Sequence, residues 1–151
     1  MTALPNVQVL DLANSYHDAA EVLSKTDANA IPIVNLRCHA IELFLKSLHL
    51  TDIATDVGDG IFLLTPGSGQ RQGHRLQHSF DKALQQHRDM MLSGMPDLRE
   101  QLACLEGAFQ KSRYLFENGG DLPLAKAASV SGFLAYKLAR LPRLTVPSER
   151  A

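Results

Sequence analysis

The stretch from Leu36 to Leu48 constrains the fold of this chain more than any other part of the sequence. Its residues favour a helix, and apolar side chains would occupy most of the circumference of that helix. A helix that is apolar on nearly every side has to be surrounded by other elements. We therefore expect it to lie inside a helical bundle, with its few polar side chains either partnered or functional.

The size and composition of the chain favour one folded domain. The 151 residues are 45% hydrophobic and 21% charged, which is typical of a globular domain with a core of its own. The net charge is -1, so nucleic-acid binding would need a local basic patch rather than an overall basic field. We predict a single helical domain over residues 1–151, with the bundle at about 7–141 and a flexible tail at 142–151.

Five helical segments are separated by clear breaks. The predicted helices run over about Val7 to Ser24, Pro32 to Leu50, His74 or Leu76 to Leu92, Pro96 to the Gly119–Gly120 pair, and Leu124 to Leu141. Apolar residues recur within them at helical spacing and form inward stripes. The predicted stripes include Leu12 and Tyr16 in the first helix, Leu84 in the third, Leu98, Leu102, Leu105 and Phe109 in the fourth, and Val130, Leu134 and Leu138 in the fifth. The fold class is therefore all-α, a four- to five-helix up-and-down bundle.

A long insertion at about 51–73 separates the second and third helices. Connections of this length in a compact domain are usually functional or mobile. Within it, Ile61–Leu64 is apolar but flanked by glycine and polar residues. This segment is either a short strand or part of a loop folded over the bundle.

A narrow polar strip runs along the otherwise apolar second helix. Asn35, His39, Glu42 and Lys46 fall on one side of it, at spacings of four, three and four residues. Glu42 and Lys46 stand in the favourable order for an ion pair worth about 0.3–0.5 kcal/mol. The strip is either solvated, with one weak salt bridge, or a polar wall that faces a cleft or a partner subunit.

Two arginines lie on apolar arcs, where an unpaired charge is strongly destabilising. Arg37 is expected either to form an internal ion pair, with a carboxylate such as Glu106 or Glu117, or to bind an anion at the bundle surface. Arg113 lies beside the apolar stripe of the fourth helix. There it either complements the helix dipole or clamps a phosphate.

The histidines give only a weak signal for a metal site. His74 and His78 are four residues apart, but neither the carboxylate of the zinc-protease motif nor a third ligand accompanies them. We therefore predict no metal and no cofactor. His87 falls on the apolar stripe of the third helix and is predicted to be a hydrogen-bonded core histidine.

The cysteines and the start of the chain point to the cytoplasm. Cys38 and Cys104 are far apart and fit no metal spacing, so we expect both to be reduced thiols in the core. The first residues lack the basic start and the apolar run of a signal peptide, and no apolar run is long enough to span a membrane. A cytoplasmic location without membrane association is the resulting prediction.

Three fragments follow one another in a recognisable order: Arg37–Lys46 on the second helix, Gly73–Leu76 opening the third, and Arg113–Tyr114 closing the fourth. In that order and spacing they resemble the HEPN domain, the "higher eukaryotes and prokaryotes nucleotide-binding" helical bundle. The resemblance covers about Val7 to Leu141 and implies a bundle that often dimerises. Many members of that family are metal-independent ribonucleases in toxin–antitoxin or antiviral systems, and others bind nucleotides, RNA or proteins without catalysis.

Catalytic members of that family carry an arginine followed four to six residues later by a histidine. The histidine can take the 2′-hydroxyl proton while the arginine stabilises the charge on the phosphate. Here no histidine follows Arg113, and the pair Arg71 and His78, with six residues between them, lies at the junction before the third helix instead. If the chain cleaves RNA, we assign proton transfer to His74 and the phosphate clamp to Arg113.

The first hypothesis combines the predicted location with what the resemblance implies: a cytoplasmic homodimer that binds nucleotide or RNA, within a toxin–antitoxin or antiviral system. The residues expected at the ligand are Arg37, His39, Glu42, Lys46 and Tyr114. Two alternatives stay open: a non-enzymatic protein–protein interaction module with a cognate protein partner, and a metal-independent endoribonuclease. A basic groove holding His74 and Arg113 would favour the first hypothesis, and an exposed apolar helix face would favour the interaction module.

Overall fold

The structure is a computed structural model that describes residues 5–49, 54–56, 58–59, 62–64, 75–111 and 122–141. These residues form six helices and two strands, which confirms the all-α bundle. The elements are α1 (Val7–Ser24), α2 (Ala30–Lys46), β1 (Ala54–Asp56), β2 (Phe62–Leu64), α3 (Leu76–Lys82), α4 (Gln85–Gly94), α5 (Leu98–Lys111) and α6 (Leu124–Ala139). The tail at 142–151 lies outside the described residues.

Asparagine caps fix the ends of the hairpin formed by α1 and α2. Asn6 Oδ1 accepts hydrogen bonds from two N–H groups in the first turn of α1, and Asn29 Oδ1 accepts one in the first turn of α2. The N–H of Asn6 also donates to the carbonyl of Ser47 across 2.7 Å, which ties the start of α1 to the end of α2. The bounds predicted for α1 are confirmed, whereas α2 ends at Lys46, before the predicted Leu50.

The central element is α2, as its apolar sequence predicts. It packs against α1, α3, α5 and α6, and nine of its 17 residues are buried. The largest fully buried side chains come from every one of the six described helices. They are Leu10, Ile41, Phe44, Leu45, Leu76, Phe80, Met91, Leu98, Leu102, Leu105, Leu134 and Leu138.

The third helix of the prediction is in fact two helices. The chain is extended at Ala83 and Leu84, with ψ values of 151° and 150°, so α3 ends at Lys82 and α4 begins at Gln85. The break turns the Leu84 side chain outward, and the residue is 45% exposed instead of lying on the inward stripe.

The inward stripe predicted for α1 is also corrected at one position. Leu12 is 50% exposed because α1 faces the core with Leu10, Ala13 and Ala20, which expose no surface. Leu12 is two positions from Leu10, about 200° around the helix, and therefore projects to solvent.

A two-stranded antiparallel sheet occupies part of the predicted insertion. In it β1 pairs with β2, and Ala54 lies opposite Leu64. In the turn between the strands, Gly58 has φ 98° and Asp59 has φ 54°, left-handed values that these two residue types tolerate best. The strand alternative for Ile61–Leu64 therefore holds for its last three residues.

The stripes predicted for the last two helices are confirmed within the described residues. Leu98, Leu102, Leu105 and Phe109 of α5 and Val130, Leu134 and Leu138 of α6 are buried. The predicted end of α5 at the Gly119–Gly120 pair lies outside the described part of the chain. Among the helices that the structure describes, none combines the length and the apolar character needed to cross a membrane.

Candidate functional site

A groove of about 420 Å³ opens between α1 and the N-terminal half of α2. It is lined by Tyr16, Pro32, Asn35, Leu36 and His39. The last four stand at positions i, i+3, i+4 and i+7 of α2 and therefore share one face of that helix. Tyr16 belongs to α1. The volume falls within the range of about 300–1,000 Å³ that is typical of small-molecule sites.

Three aromatic rings meet beside this groove. His39 stacks on Tyr16 with ring centroids 5.5 Å apart and planes inclined by 25°, and it meets Phe109 of α5 edge-on at 4.8 Å. Both arrangements are favourable for π systems. Because Phe109 is buried, it fixes the imidazole plane from the core side, while Tyr16 and His39 are half-buried and line the groove.

The polar strip predicted on α2 divides into two parts. Asn35 and His39 line the groove, whereas Glu42 is only 4% exposed. Lys46 Nζ donates to Glu42 Oε1 across 2.5 Å, so the predicted ion pair is confirmed. A fully solvated strip is wrong, since the carboxylate in its middle is buried against neighbouring helices.

Arg37 forms an internal ion pair, but with a partner that the sequence did not indicate. Its Nη1 donates to Glu21 Oε1 of α1 across 2.9 Å. Of the two carboxylates that the sequence suggested, Glu106 forms no such pair among the described residues, and Glu117 lies outside them. The turn between α1 and α2 brings the end of one helix beside the start of the next, which places Glu21 within reach. This hydrogen bond, helped by the charge of Arg37, holds the pKa of Glu21 below its usual value, although partial burial acts in the opposite direction.

The carboxylate of Glu21 belongs to a polar cluster that joins α1, α2 and α6. His17 Nδ1 lies 2.6 Å from Ser131 Oγ, and His17 Nε2 lies 4.0 Å from Glu21 Oε1. This order resembles a catalytic serine, histidine and carboxylate, but Ser131 exposes no surface to a substrate. The cluster therefore serves to connect the three helices. The one sequence signal for it is the four-residue step from His17 to Glu21.

The predicted site residues are scattered in the structure. Among the predicted ligand-binding residues that it describes, His39 alone lines the groove. His74, Arg113 and Tyr114 lie outside the described residues, and His78 is exposed on α3. Within the described residues, no group of three or more histidine, cysteine, aspartate or glutamate side chains is placed to hold a metal ion.

Sequence reasoning missed the aromatic and apolar part of the site. It assigned Tyr16 to the inward stripe of α1 and gave no role to Pro32 or Leu36. The only signal for Tyr16 was its aromatic ring within a stripe that is otherwise aliphatic. Phe109 was predicted to be in the core, where it is, but its contact with His39 could not be inferred.

Two further predictions about single residues need correction. His87 is buried as predicted, yet its Nδ1 has no hydrogen-bond partner among the described residues, and burial lowers its pKa.

Cys38 is a core thiol, as predicted, whose pKa is raised to about 12, first by burial and then by the charge of Glu42. Cys104 is exposed instead, because it lies off the buried stripe of α5, and Lys126 Nζ lies 3.7 Å from its sulfur.

The groove combines flat rings with one amide. Tyrosine and histidine rings provide surfaces on which nucleobases stack, and an asparagine amide can donate to and accept from a base edge. Pro32 and Leu36 supply apolar contact beside them. The five described lining residues include no lysine or arginine, so the groove suits the base of a nucleotide better than its phosphates.

The chain matches no protein-family model, no curated protein and no solved structure. Membership of the HEPN family therefore stays a prediction for this chain.

Proposed function

We propose that this chain binds nucleotides or RNA by holding a nucleobase in the groove between α1 and α2. The observation that supports this function is the stacked pair of Tyr16 and His39 beside the Asn35 amide. Base–aromatic stacking contributes about 1–3 kcal/mol per base, and a side-chain amide adds preference for a particular base edge.

The shape of the groove determines which part of the ligand it would hold. A volume of about 420 Å³ accommodates a base with its ribose. The base would contact Tyr16 and His39, and the apolar Pro32 and Leu36 would exclude water from its other edge. The phosphates would extend towards solvent, since no cation is found among the described lining residues.

The resemblance to HEPN domains supports the same class of ligand. It would also make the chain a homodimer and one component of a toxin–antitoxin or antiviral system. The two arguments share His39, which belongs both to the Arg37–Lys46 fragment and to the ring stack, whereas Tyr16 and Asn35 support the groove alone.

Titration with AMP, GMP, CMP and UMP, followed by NMR or calorimetry, tests the proposal. Tyr16→Ala and His39→Ala should each weaken binding of the preferred nucleotide about five- to 100-fold, because each removes a stacking ring. His39→Phe keeps a flat ring and should retain most of the affinity. Asn35→Leu should change the preference among the four bases.

His78→Ala is the matched control. His78 is an exposed histidine on α3 and does not line the groove, so binding should be unchanged in this variant. A folded wild-type protein that binds none of the four nucleotides and no single-stranded RNA would overturn the proposal. Equal loss of affinity in His78→Ala and His39→Ala would also contradict it.

Ribonuclease activity needs an assay of its own, because binding does not imply cleavage. Incubation of RNA with the purified protein in EDTA detects a metal-independent ribonuclease. Cleavage that is lost in both His74→Ala and Arg113→Ala would assign proton transfer and phosphate stabilisation to these residues. Binding without cleavage would leave a nucleotide- or RNA-binding module.

A non-enzymatic interaction module is the second candidate, favoured by two large apolar side chains on α1. Leu12 is 50% exposed and Val22 is 64% exposed. A cognate protein partner would cover them. Under this reading, Leu12→Gln combined with Val22→Gln should abolish co-purification of that partner and leave nucleotide titrations unchanged.

A further inference from the structure

The charge of the last helix differs from that of the chain as a whole. Residues 122–141, which include α6, contain Lys126, Lys137 and Arg140 and no carboxylate, so all 16 acidic residues lie elsewhere. Lys126 and Arg140 are exposed, and they are separated by about 21 Å along a helix. The exposed side of α6 that carries these cations is therefore complementary to an extended polyanion.

Aromatic rings are interleaved with these cations. Tyr136 is 55% exposed, and the guanidinium carbon of Arg140 lies 3.3 Å from its ring centroid. Arg140 Nη1 also donates to the carbonyl of Tyr136 across 2.9 Å. Next to this pair, Lys137 Nζ lies 5.9 Å from the ring centroid of Phe133.

These contacts hold the cationic groups in place before any ligand binds. A guanidinium stacked on a ring loses little conformational freedom when it contacts a phosphate, because its orientation is already restricted. Tyr136 is 55% exposed even with Arg140 against its ring, so surface is left on this residue for a base. A ring, a stacked arginine and flanking lysines are the elements of a single-strand binding surface.

We propose that this surface, the α6 face formed by Lys126, Phe133, Tyr136, Lys137 and Arg140, binds single-stranded RNA. Tyr136 stacks a base, and the cations contact successive phosphates. The inference rests on the proposed function and deepens it. It makes the ligand a polymer rather than a free nucleotide, because a mononucleotide cannot reach both ends of the α6 face.

An anionic membrane is the other polyanion that a basic helix can bind. Such binding inserts the apolar side of the helix among the lipids. The apolar side of α6 is packed in the protein core, since Val130, Leu134 and Leu138 expose no surface. The observations therefore favour RNA, and vesicle binding becomes one outcome of the test.

The test uses fluorescence anisotropy with a labelled 12-nucleotide single-stranded RNA of mixed sequence at several salt concentrations. Tyr136→Ala should weaken binding about five- to 100-fold, whereas Tyr136→Phe should retain it. Arg140→Gln should reduce the slope of log K against log salt by about 0.7, the value for one phosphate contact. Lys25→Gln removes an exposed lysine after α1 and should change neither quantity.

Nucleotide titrations separate this inference from the proposed function. Tyr16→Ala in the groove should weaken the binding of both AMP and RNA, whereas Tyr136→Ala and Arg140→Gln should weaken that of RNA alone. RNA affinity and salt slope equal to wild type in both α6 variants would overturn the α6 face and leave the groove intact. A wild type that binds neither ligand overturns both.

Two controls keep these outcomes interpretable. Thermal unfolding of each variant shows whether it folds. If Tyr136→Ala does not fold, Arg140→Gln, a change at an exposed position, still tests the α6 face. Vesicles of phosphatidylserine and phosphatidylcholine supply the membrane arm. Vesicle binding that depends on Arg140, with RNA binding unaffected, would assign the α6 face to lipid and overturn the RNA proposal.

Discussion

Nη1 of Arg37 and Oε1 of Glu21 lie 2.9 Å apart, but the two side chains differ in their exposure. The arginine side chain is 4% exposed, whereas the glutamate side chain is 45% exposed. Removal of the carboxylate would therefore leave a buried positive charge, which is far more costly than an exposed one. The pair joins α1 to α2, the two helices that also form the groove.

Glu21→Gln should lower the free energy of unfolding at pH 7 by about 1–2 kcal/mol. We expect less than for a fully buried pair, because water reaches the carboxylate side and replaces part of the lost interaction. Urea unfolding followed by circular dichroism measures the change. Asp18→Asn, at an exposed site on the same helix, is the control and should change stability by less than about 0.5 kcal/mol.

The contribution of Glu21 should also depend on pH. Its pKa is lowered from 4.5 in the folded state, so the stability it provides is present above pH 4.5 and is lost as pH falls through the lowered folded pKa. The stability difference between wild type and Glu21→Gln should therefore shrink from pH 5 towards pH 3. An unchanged difference at pH 3 would contradict the ion pair as its origin.

His87 should make the fold less stable in mild acid. Burial lowers its pKa from 6.5, so the unfolded chain takes up a proton at a higher pH than the folded protein does. Stability is then lost as pH falls from 6.5 towards the lowered folded pKa. His87→Leu removes this titration and the buried Nδ1 that has no partner in the described part of the chain.

Urea midpoints at pH 7, 6 and 5 test the role of His87. The curve for His87→Leu should be flatter than that of wild type. Some slope will remain, because burial and then the charge of Lys82 lower the pKa of His49 in the same direction. Parallel curves for the two proteins would show that His87 does not contribute.

The two thiols should differ sharply in reactivity. Cys104 is exposed, whereas Cys38 exposes no surface and has a pKa of about 12. A thiol-specific chromogenic disulfide should therefore label one cysteine per chain in the native state and two in denaturant. Cys104→Ser should abolish native labelling and Cys38→Ser should not. Rapid labelling of Cys38 would mean that the core opens near α2.

Two glycines should respond to alanine in opposite directions. A Cβ at Gly132, within α6, meets no atom within 4 Å, so Gly132→Ala should stabilise the protein by about 0.5–1 kcal/mol. A Cβ at Gly94 would lie 2.7 Å from Phe133 Cε2 and 2.8 Å from Lys137 Cε. Gly94→Ala should therefore destabilise by about 1–2 kcal/mol.

Thermal unfolding of the alanine variants measures both effects. Gly107→Ala on α5 serves as a second open position, because a Cβ there also meets nothing within 4 Å. It should behave like Gly132→Ala. A stabilising Gly94→Ala would show that the Phe133 ring can move without cost.

Local features of the fold could be predicted because their causes are local. Asn6 caps α1 with its own side chain, so the start of that helix is visible in the sequence. The break after α3 is not visible in the sequence, since neither Ala83 nor Leu84 is a helix breaker. Phe80 and His87 stay buried on both sides of it, and their spacing of seven residues also fits one continuous helix.

The site could be predicted only in part because it depends on how helices meet. Periodicity placed His39 on the polar side of α2, and it does line the groove. The pairing of Arg37 with Glu21 and the stack of His39 on Tyr16 depend on the register between α1 and α2. Residue spacing within one helix contains no information about that register.

His39 stands between Cys38 and Ala40, neither of which exposes any surface. The backbone beneath the groove is therefore set in the core, and we expect it to open only when the bundle does. A ligand in the groove at 100 times its dissociation constant would then add about 2.7 kcal/mol to the stability of the entire bundle. Melting temperature alone would report occupancy, so a compound library could be screened without knowing the ligand in advance.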